Sequence, residues 1–277
     1  LATQAAYSRA GGAPPRGLPR RCPMDFEHLQ LEIADRLAVV RLNRPAVRHA
    51  LSQALMRELI HVASSLAERA DVDVVILTGD DTCFSAGADL RDARDWADAA
   101  QPLVQRRLTA SLGYRLCKAW EELPQVTLVA IEGYAVGGGL ALSLACDWRV
   151  LADDAFVSLP EIALGIPLTW GTIPRLVNLL GPARAKRLTI LCERIGAAEA
   201  LAMGLVDHTA PRGGALAKAR QLAARTLAMP AAAVRMSKET ANAVATALNH
   251  AAGYMAHDQI APAATSPEAR AARENAL

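Results

Sequence analysis

The chain predicts an α/β fold with a helical C-terminal region. Three observations carry that expectation. Val74 to Thr78 and Thr127 to Ile131 are short runs that are apolar throughout, as strands of a parallel sheet covered on both faces should be. Segments of helical spacing separate these runs, and the order strand, helix, strand, helix, strand requires right-handed crossovers. After Leu176 the strand signals nearly stop, and Ala-rich helical patterns take over.

The elements follow in order. Leu29 to Ile33 and Leu37 to Leu42 read as a hairpin around Ala34-Asp35-Arg36, and Asn43-Arg44-Pro45 ends its second strand. Ser52 is placed to cap a helix whose apolar positions Leu55, Leu59, Val62 and Leu66 keep helical spacing. Gly79-Asp80-Asp81 turns the chain out of the Val74–Thr78 strand toward Phe84 to Asp89, and a mixed helical region then runs to Pro124. Leu140 to Cys146 reads as the helix after the Thr127 strand, and Arg149 to Ala152 as a third buried strand. Further helices are expected over Ala183–Leu191, Ala197–Met203, Ala215–Ala228 and Ala231–His250. Ser266-Pro267-Glu268 supplies an N-cap and an N1 proline for a last one. No internal repeat is visible.

Composition narrows the function classes. At 277 residues, 52% hydrophobic and 21% charged, the chain can bury a sizeable core without metals or disulfides. A net charge of +2 leaves no footprint for nucleic acid. The five cysteines are scattered with no CxxC, so they read as reduced, mostly buried small hydrophobes of a cytoplasmic protein. Val126 to Cys146 approaches the length of a membrane span. Four glycines interrupt it, and a buried strand, loop and helix explain it better. The expected organisation is a disordered tail over residues 1–23, a core over 24–195, and a helical region over 196–277 that serves oligomerisation. The tail holds four arginines, no acid and many Gly and Pro. It reads as a dispensable extension, although an organellar transit peptide shares that composition.

The chemistry concentrates between Thr127 and Leu176. Gly137-Gly138-Gly139 joins a buried strand to a helix. A dinucleotide fingerprint fails, because Leu142 stands where its third glycine belongs, and no Gly-Lys-Ser/Thr follows to make a P-loop. Three successive glycines still exceed what a turn needs and suggest close backbone approach, with amides at a helix N-terminus facing an anion. Ser85-Ala86-Gly87-Ala88-Asp89 is a second small-residue loop after a neighbouring strand. Two N–H groups converging from these loops on one oxygen would make an oxyanion hole. Glu161 stands alone in Leu-Pro-Glu-Ile and is apolar-flanked on both sides, so its pKa should be raised toward acid–base use. The six histidines show no HxxxH pair and read as structural, and Ser143 lacks a nucleophile-elbow setting.

With these motifs in order and spacing, the chain resembles the crotonase, or enoyl-CoA hydratase/isomerase, superfamily. The resemblance runs from about Leu29 to His208. Its pieces include Leu42-Asn43-Arg44-Pro45, Phe84 to Leu90, Ile131 to Gly139, Ala145-Cys146-Asp147, Leu159-Pro160-Glu161 with Leu164-Gly165-Ile166-Pro167, and Ala198 through Gly204-Leu205-Val206. It implies a crotonase-like spiral of ββα units with a C-terminal helical region, assembled as a homotrimer or a dimer of trimers. It implies that the Ala88 and Gly138 N–H groups hold an acyl-CoA thioester oxygen, that Glu161 is the catalytic acid–base, and that Arg91 and Arg48 contact coenzyme A. Coenzyme A would enter as part of the substrate, with no metal, no other cofactor and no nucleic acid or membrane partner.

The departures from the family pattern bear on the reaction. Hydratases of this family use two glutamates; one matches Glu161, and the other falls on Ala141. A methyl group cannot orient a water, and one acid–base group contributes typically about 10²–10⁴-fold. A double-bond isomerase needs a single base. Leu168-Thr169-Trp170 replaces a Gly-rich stretch, and His49 stands where the family usually has Asn. Isomerisation is the expected reaction. A true hydratase and a non-catalytic acyl-CoA-binding protein are its alternatives. Hydrolysis or decarboxylation with help from Asp92 or Asp95 is a further one.

Overall fold

The computed structural model describes residues 26–92, 101–247, 249, 256–259 and 266–276. The expected tail over 1–23, and Arg94 and Asp95, lie outside the described residues. The first two strands, β1 (Leu29–Ala34) and β2 (Leu37–Leu42), pair antiparallel with Leu29 opposite Leu42. Asp35 and Arg36 both take positive φ, which gives the tight turn a twist that suits a two-residue hairpin. The remaining strands of this sheet are parallel: β3 (Val74–Thr78), β4 (Val126–Ile131), β6 (Trp148–Ala152) and β9 (His208–Ala210). The order is β1-β2-β3-β4-β6-β9, and each parallel pair is adjacent in the sheet.

The apolar runs are continuous because both sheet faces are covered. Val40, Val75, Leu77, Val129, Ile131 and Leu151 join one core cluster. Its helices are α1 (Gln53–Ala67), α3 (Leu112–Glu121) and α4 (Gly138–Leu144), with α2 (Leu103–Ala110) lying between α1 and α3 in the chain. The alternate residues Val39, Val74, Ile76, Leu128 and Val150 pack on the other side against α8 (Ala215–Leu227), through Ala215, Ala219 and Leu222. Ser52 caps α1 as expected, its hydroxyl accepting from the Leu55 N–H at 3.2 Å. Ser266 does the same for the final helix α10 (Pro267–Ala276), accepting from Ala269 N–H at 3.1 Å.

A second layer was not legible in the sequence. Short strands β5 (Tyr134–Val136), β7 (Phe156–Ser158) and β8 (Ile195–Gly196) form a three-stranded sheet in the order β5-β7-β8. Two isolated parallel bridges extend it, Ser85 with Ala135 and Leu51 with Ala88. The chain therefore repeats one turn: a strand of the large sheet, a short inner ribbon, then a helix. The inner ribbons are Leu51, Ser85–Ala88, β5 and β7, and each lies beside the next. This is the spiral of ββα units.

The helices α5 (Thr172–Leu180), α6 (Pro182–Leu191) and α7 (Ala197–Met203) follow Glu161, and α9 (Ala231–Thr246) follows α8. The expected division at 195/196 is not a structural break. β8 spans it, β9 extends the large sheet, and α8 closes that sheet's second face. Residues 196–227 are part of the core because a parallel sheet cannot leave one face in water. α9 differs: no hydrophobic side chain on it is fully buried, and Met236 and Val244 are 66% and 77% exposed. Polar contacts hold it, including Lys238 to Asp147 at 2.7 Å and Arg235 to Asp73 at 3.0 Å.

Glu132 anchors α8 to the sheet. Its buried carboxylate, just past β4, accepts from the N–H groups of Gly213 and Ala215, each at 2.9 Å. Replacing Glu132 with Ala orphans both donors at a helix N-terminus and should lower unfolding free energy by about 3 kcal/mol. Denaturant melts check the magnitude. Hydrogen exchange should localise the loosening to residues 213–227.

Candidate active site

The inner ribbons decide the site. Four of the five N–H groups of the Ser85–Asp89 loop are hydrogen-bonded. Ala86 N–H donates to the Arg48 carbonyl at 3.0 Å, Leu51 N–H to the Gly87 carbonyl at 2.8 Å, and Asp89 N–H to the Leu51 carbonyl at 3.1 Å. The buried Ser85 hydroxyl donates to the His49 carbonyl at 2.8 Å and accepts from Gly87 N–H at 3.2 Å. Ala88 N–H has no acceptor among the described residues. Gly138 N–H is likewise free among them, because it is the first residue of α4 and its helix offers nothing upstream.

These two donors face one space. A β-carbon built on Gly138 would lie 3.3 Å from the Ala88 nitrogen, and one on Gly87 would lie 3.3 Å from the Gly138 nitrogen. Gly87 has φ +94°, and a side chain there would also strike the Val136 carbonyl at 2.7 Å. The strand-to-helix turn brings the N-terminal end of α4, with its partial positive charge, into the same space.

Glu161 arrives from the inner ribbon of the next turn, three residues beyond β7. Its backbone carbonyl accepts from Leu164 and Ile166, which fixes the bend that follows. Its carboxylate lies against Gly137: a β-carbon at that glycine would sit 2.7 Å from Glu161 Oε1. Gly137 also has φ +53°, so both space and backbone demand glycine there. Glu161 Oε2 is buried with no hydrogen-bond partner among the described residues. Burial pushes its pKa from 4.5 up to about 7. A carboxylic group poised near neutrality can both take and return a proton.

Ala141 lies one turn along α4 from Gly138 and is 3% exposed. The sequence registered Trp170 only as a departure from a glycine-rich stretch. In the fold, its buried indole lies over Gly138, where a β-carbon would meet Cζ3 at 2.5 Å. The tryptophan-before-glycine step at 170–171 was the available signal. α10 packs over the turn after Glu161, and a β-carbon on Gly165 would meet Ala269 Cα at 2.5 Å.

Arg48 and Arg91 are both exposed, Arg48 before the Leu51 ribbon and Arg91 two residues past Asp89. Asp92, an alternative acid, accepts from Gln53 N–H at 2.8 Å and serves α1 instead. The donor atoms of His49, Asp80 and Cys83 lie within 4.8 Å of one another. His49 Nδ1 accepts from Arg44 N–H at 3.1 Å, so its proton is on Nε2, 2.9 Å from Asp80. That tautomer leaves Nε2 no lone pair for a metal. Cys117 and Cys146 are free, buried thiols whose pKa burial pushes up to about 12, so they behave as small hydrophobes.

Comparison with known proteins gives the family. The enoyl-CoA hydratase/isomerase family profile matches residues 32–271. A crotonyl-CoA hydratase of Syntrophomonas wolfei is 32% identical over 220 residues, covering 79% of this chain and 83% of its own length. A probable enoyl-CoA hydratase of Mycobacterium tuberculosis is 35% identical over 224 residues, covering 79% of this chain and 82% of its own. The crystal structure of an enoyl-CoA hydratase from Bacillus anthracis superposes with TM-score 0.73 at 34% identity, covering 86% of this chain and 90% of that one. With paired backbone donors, an apolar-buried glutamate and a ββα spiral all in place, the chain belongs to the enoyl-CoA hydratase/isomerase family of the crotonase superfamily.

Proposed function

We propose that the chain acts on an acyl-CoA thioester through an enolate, with Glu161 as its single acid–base group, and that it shifts a double bond rather than adding water. One observation carries this reading. Two unpartnered N–H groups and a buried carboxylate with a pKa of about 7 border the same Gly137-Gly138 peptide. The thioester oxygen accepts from Ala88 and Gly138. Glu161 removes a proton from C2 of a 3-enoyl thioester, and the electron pair moves onto that oxygen. Each donor contributes about 3 kcal/mol as the charge develops. Glu161 then returns the proton to C4, leaving the double bond between C2 and C3. Atoms and charge balance with no further cofactor. Hydration would need a second group to hold water, and Ala141 offers a methyl.

Arg48 and Arg91 flank the Ser85–Asp89 loop and suit the phosphates of coenzyme A, which enters as part of the substrate. α9 supports a homotrimer or dimer of trimers: it carries the exposed Met236 and Val244 and borders a groove of about 1270 Å³. A cytoplasmic location accords with the free cysteines, and among the described residues no helix is long and apolar enough to cross a membrane. Hydration remains the second reading, because the relatives named above carry hydratase names. A non-catalytic acyl-CoA binder is the third, motivated by Ala141 and by the indole over Gly138.

Replacing Glu161 with Gln should lower turnover by about 10³-fold while acyl-CoA affinity stays within a few-fold; full activity in that variant would falsify the assignment. Mass spectrometry of the product from 2-enoyl and 3-enoyl thioesters separates the readings. Isomerisation leaves the mass unchanged, and a gain of one water rejects it. The base must be ionised, so kcat/KM should rise with pH through about 7, the folded-state pKa of Glu161. Stability has the opposite sign. Glu161 ionises near 4.5 when unfolded and near 7 when folded, so its burial destabilises the fold progressively as pH rises between those values. Glu161→Gln should therefore raise Tm more at pH above 7 than at pH below 4.5, which calorimetry at the two extremes checks.

A further inference from the structure

We infer that Trp170 is a fixed wall of the acyl pocket, closing it beside the oxyanion donors and selecting short acyl chains. This rests on the proposed thioester chemistry and adds a substrate class to it. The indole fills the gap between two helices. A β-carbon on Gly113 of α3 would lie 1.9 Å from Trp170 Cε2, and one on Gly138 of α4 would lie 2.5 Å from Cζ3. The same Gly138 position is 3.3 Å from the Ala88 nitrogen, so ring and donors border one small volume. An acyl group with its carbonyl oxygen on those donors has its next carbons against the indole. A chain continuing between α3 and α4 meets the ring within a few carbons.

The wall does not swing. Trp170 has φ +59°, a left-handed backbone held from behind by Arg175, which donates to the Trp170 carbonyl at 2.8 Å. Arg175 is buried and in turn makes a two-point pair with Glu121 of α3, at 2.8 and 2.7 Å. The following Gly171 has φ +70°, and a β-carbon there would strike Arg175 Nη1 at 2.7 Å. Backbone, guanidinium and carboxylate thus lock the indole onto the two glycines. Both Gly113 and Gly138 are required by the ring: any side chain at either would occupy its volume.

Trp170→Gly is the direct test, because glycine adopts the left-handed backbone freely while deleting the indole. Trp170→Phe, which keeps a buried aromatic ring, is the companion variant. The readout is the ratio of kcat/KM for decenoyl-CoA to that for butenoyl-CoA, each offered as 2-enoyl and 3-enoyl thioesters. Every methylene newly buried is about a fourfold gain, so a pocket opened by even a few carbons should raise the ratio at least about tenfold in Trp170→Gly. Trp170→Phe should fall between. A ratio unchanged in both variants overturns the wall. Calorimetric titration with saturated butanoyl-CoA and decanoyl-CoA, which cannot turn over, gives the independent arm. Wild type should bind the short thioester and discriminate against the long one. Equal binding of both sinks the wall while leaving the proposed chemistry intact. Binding of neither sinks the proposed chemistry and the wall with it.

Discussion

Everything at the site depends on how closely two backbone ribbons approach. The Ser85–Ala88 and Tyr134–Gly138 segments touch at main-chain level, with Val136 N–H donating to the Ser85 carbonyl at 3.0 Å. Gly87 and Gly137 make the contact possible, since side chains there would collide with the Val136 carbonyl and with Glu161. Because the ribbons are parallel and adjacent, each turn of the spiral places its next residue beside that of the turn before. Ala88, Gly138 and Glu161 come from three successive turns and meet for that reason.

The ribbons can be so exposed in their hydrogen bonding because the large sheet is not. Its central strands β3 and β4 are buried on both faces, by α1, α3 and α4 on one side and α8 on the other. Such strands are stiff, and each inner ribbon follows a strand of the large sheet past its C-terminal end, where ligands of parallel sheets gather. Rigid supports let two N–H groups stay unpaired, and let a carboxylate stay desolvated, without local collapse. The same low polarity that raises Glu161 toward neutrality strengthens any charge the backbone donors meet. Function and instability share one cause here.

The sequence was informative where local chemistry forces one conformation. Ser52 before Leu55, Ser266-Pro267 before α10, and the wholly apolar β3 and β4 each follow from nearest-neighbour physics. Strands of two or three residues such as β5, β7 and β8 carry too little pattern to be read, because their partners are remote in the chain. β9 is three residues with no apolar run of its own, and only its pairing with β6 makes it a strand. The same distance effect hid the continuity of residues 196–227 with the core. Alanines in α8 read as generic helix; their burial against Val74 and Leu128 is a tertiary fact.

By itself the sequence determined the α/β class, the two glycine-bearing loops and the isolated apolar setting of Glu161. These are properties of residue type and short spacing, and they survive any arrangement of the chain; that Ala141 stands where a second glutamate would be expected came from the family resemblance. Only the tertiary structure decided that Ala88 and Gly138 offer free N–H groups to one volume, that Asp92 belongs to a helix cap, and that Trp170 seals the space over Gly138. Each of those depends on contacts between residues tens of positions apart. Such contacts are set by sheet register and by the room glycine leaves, and no local pattern encodes them.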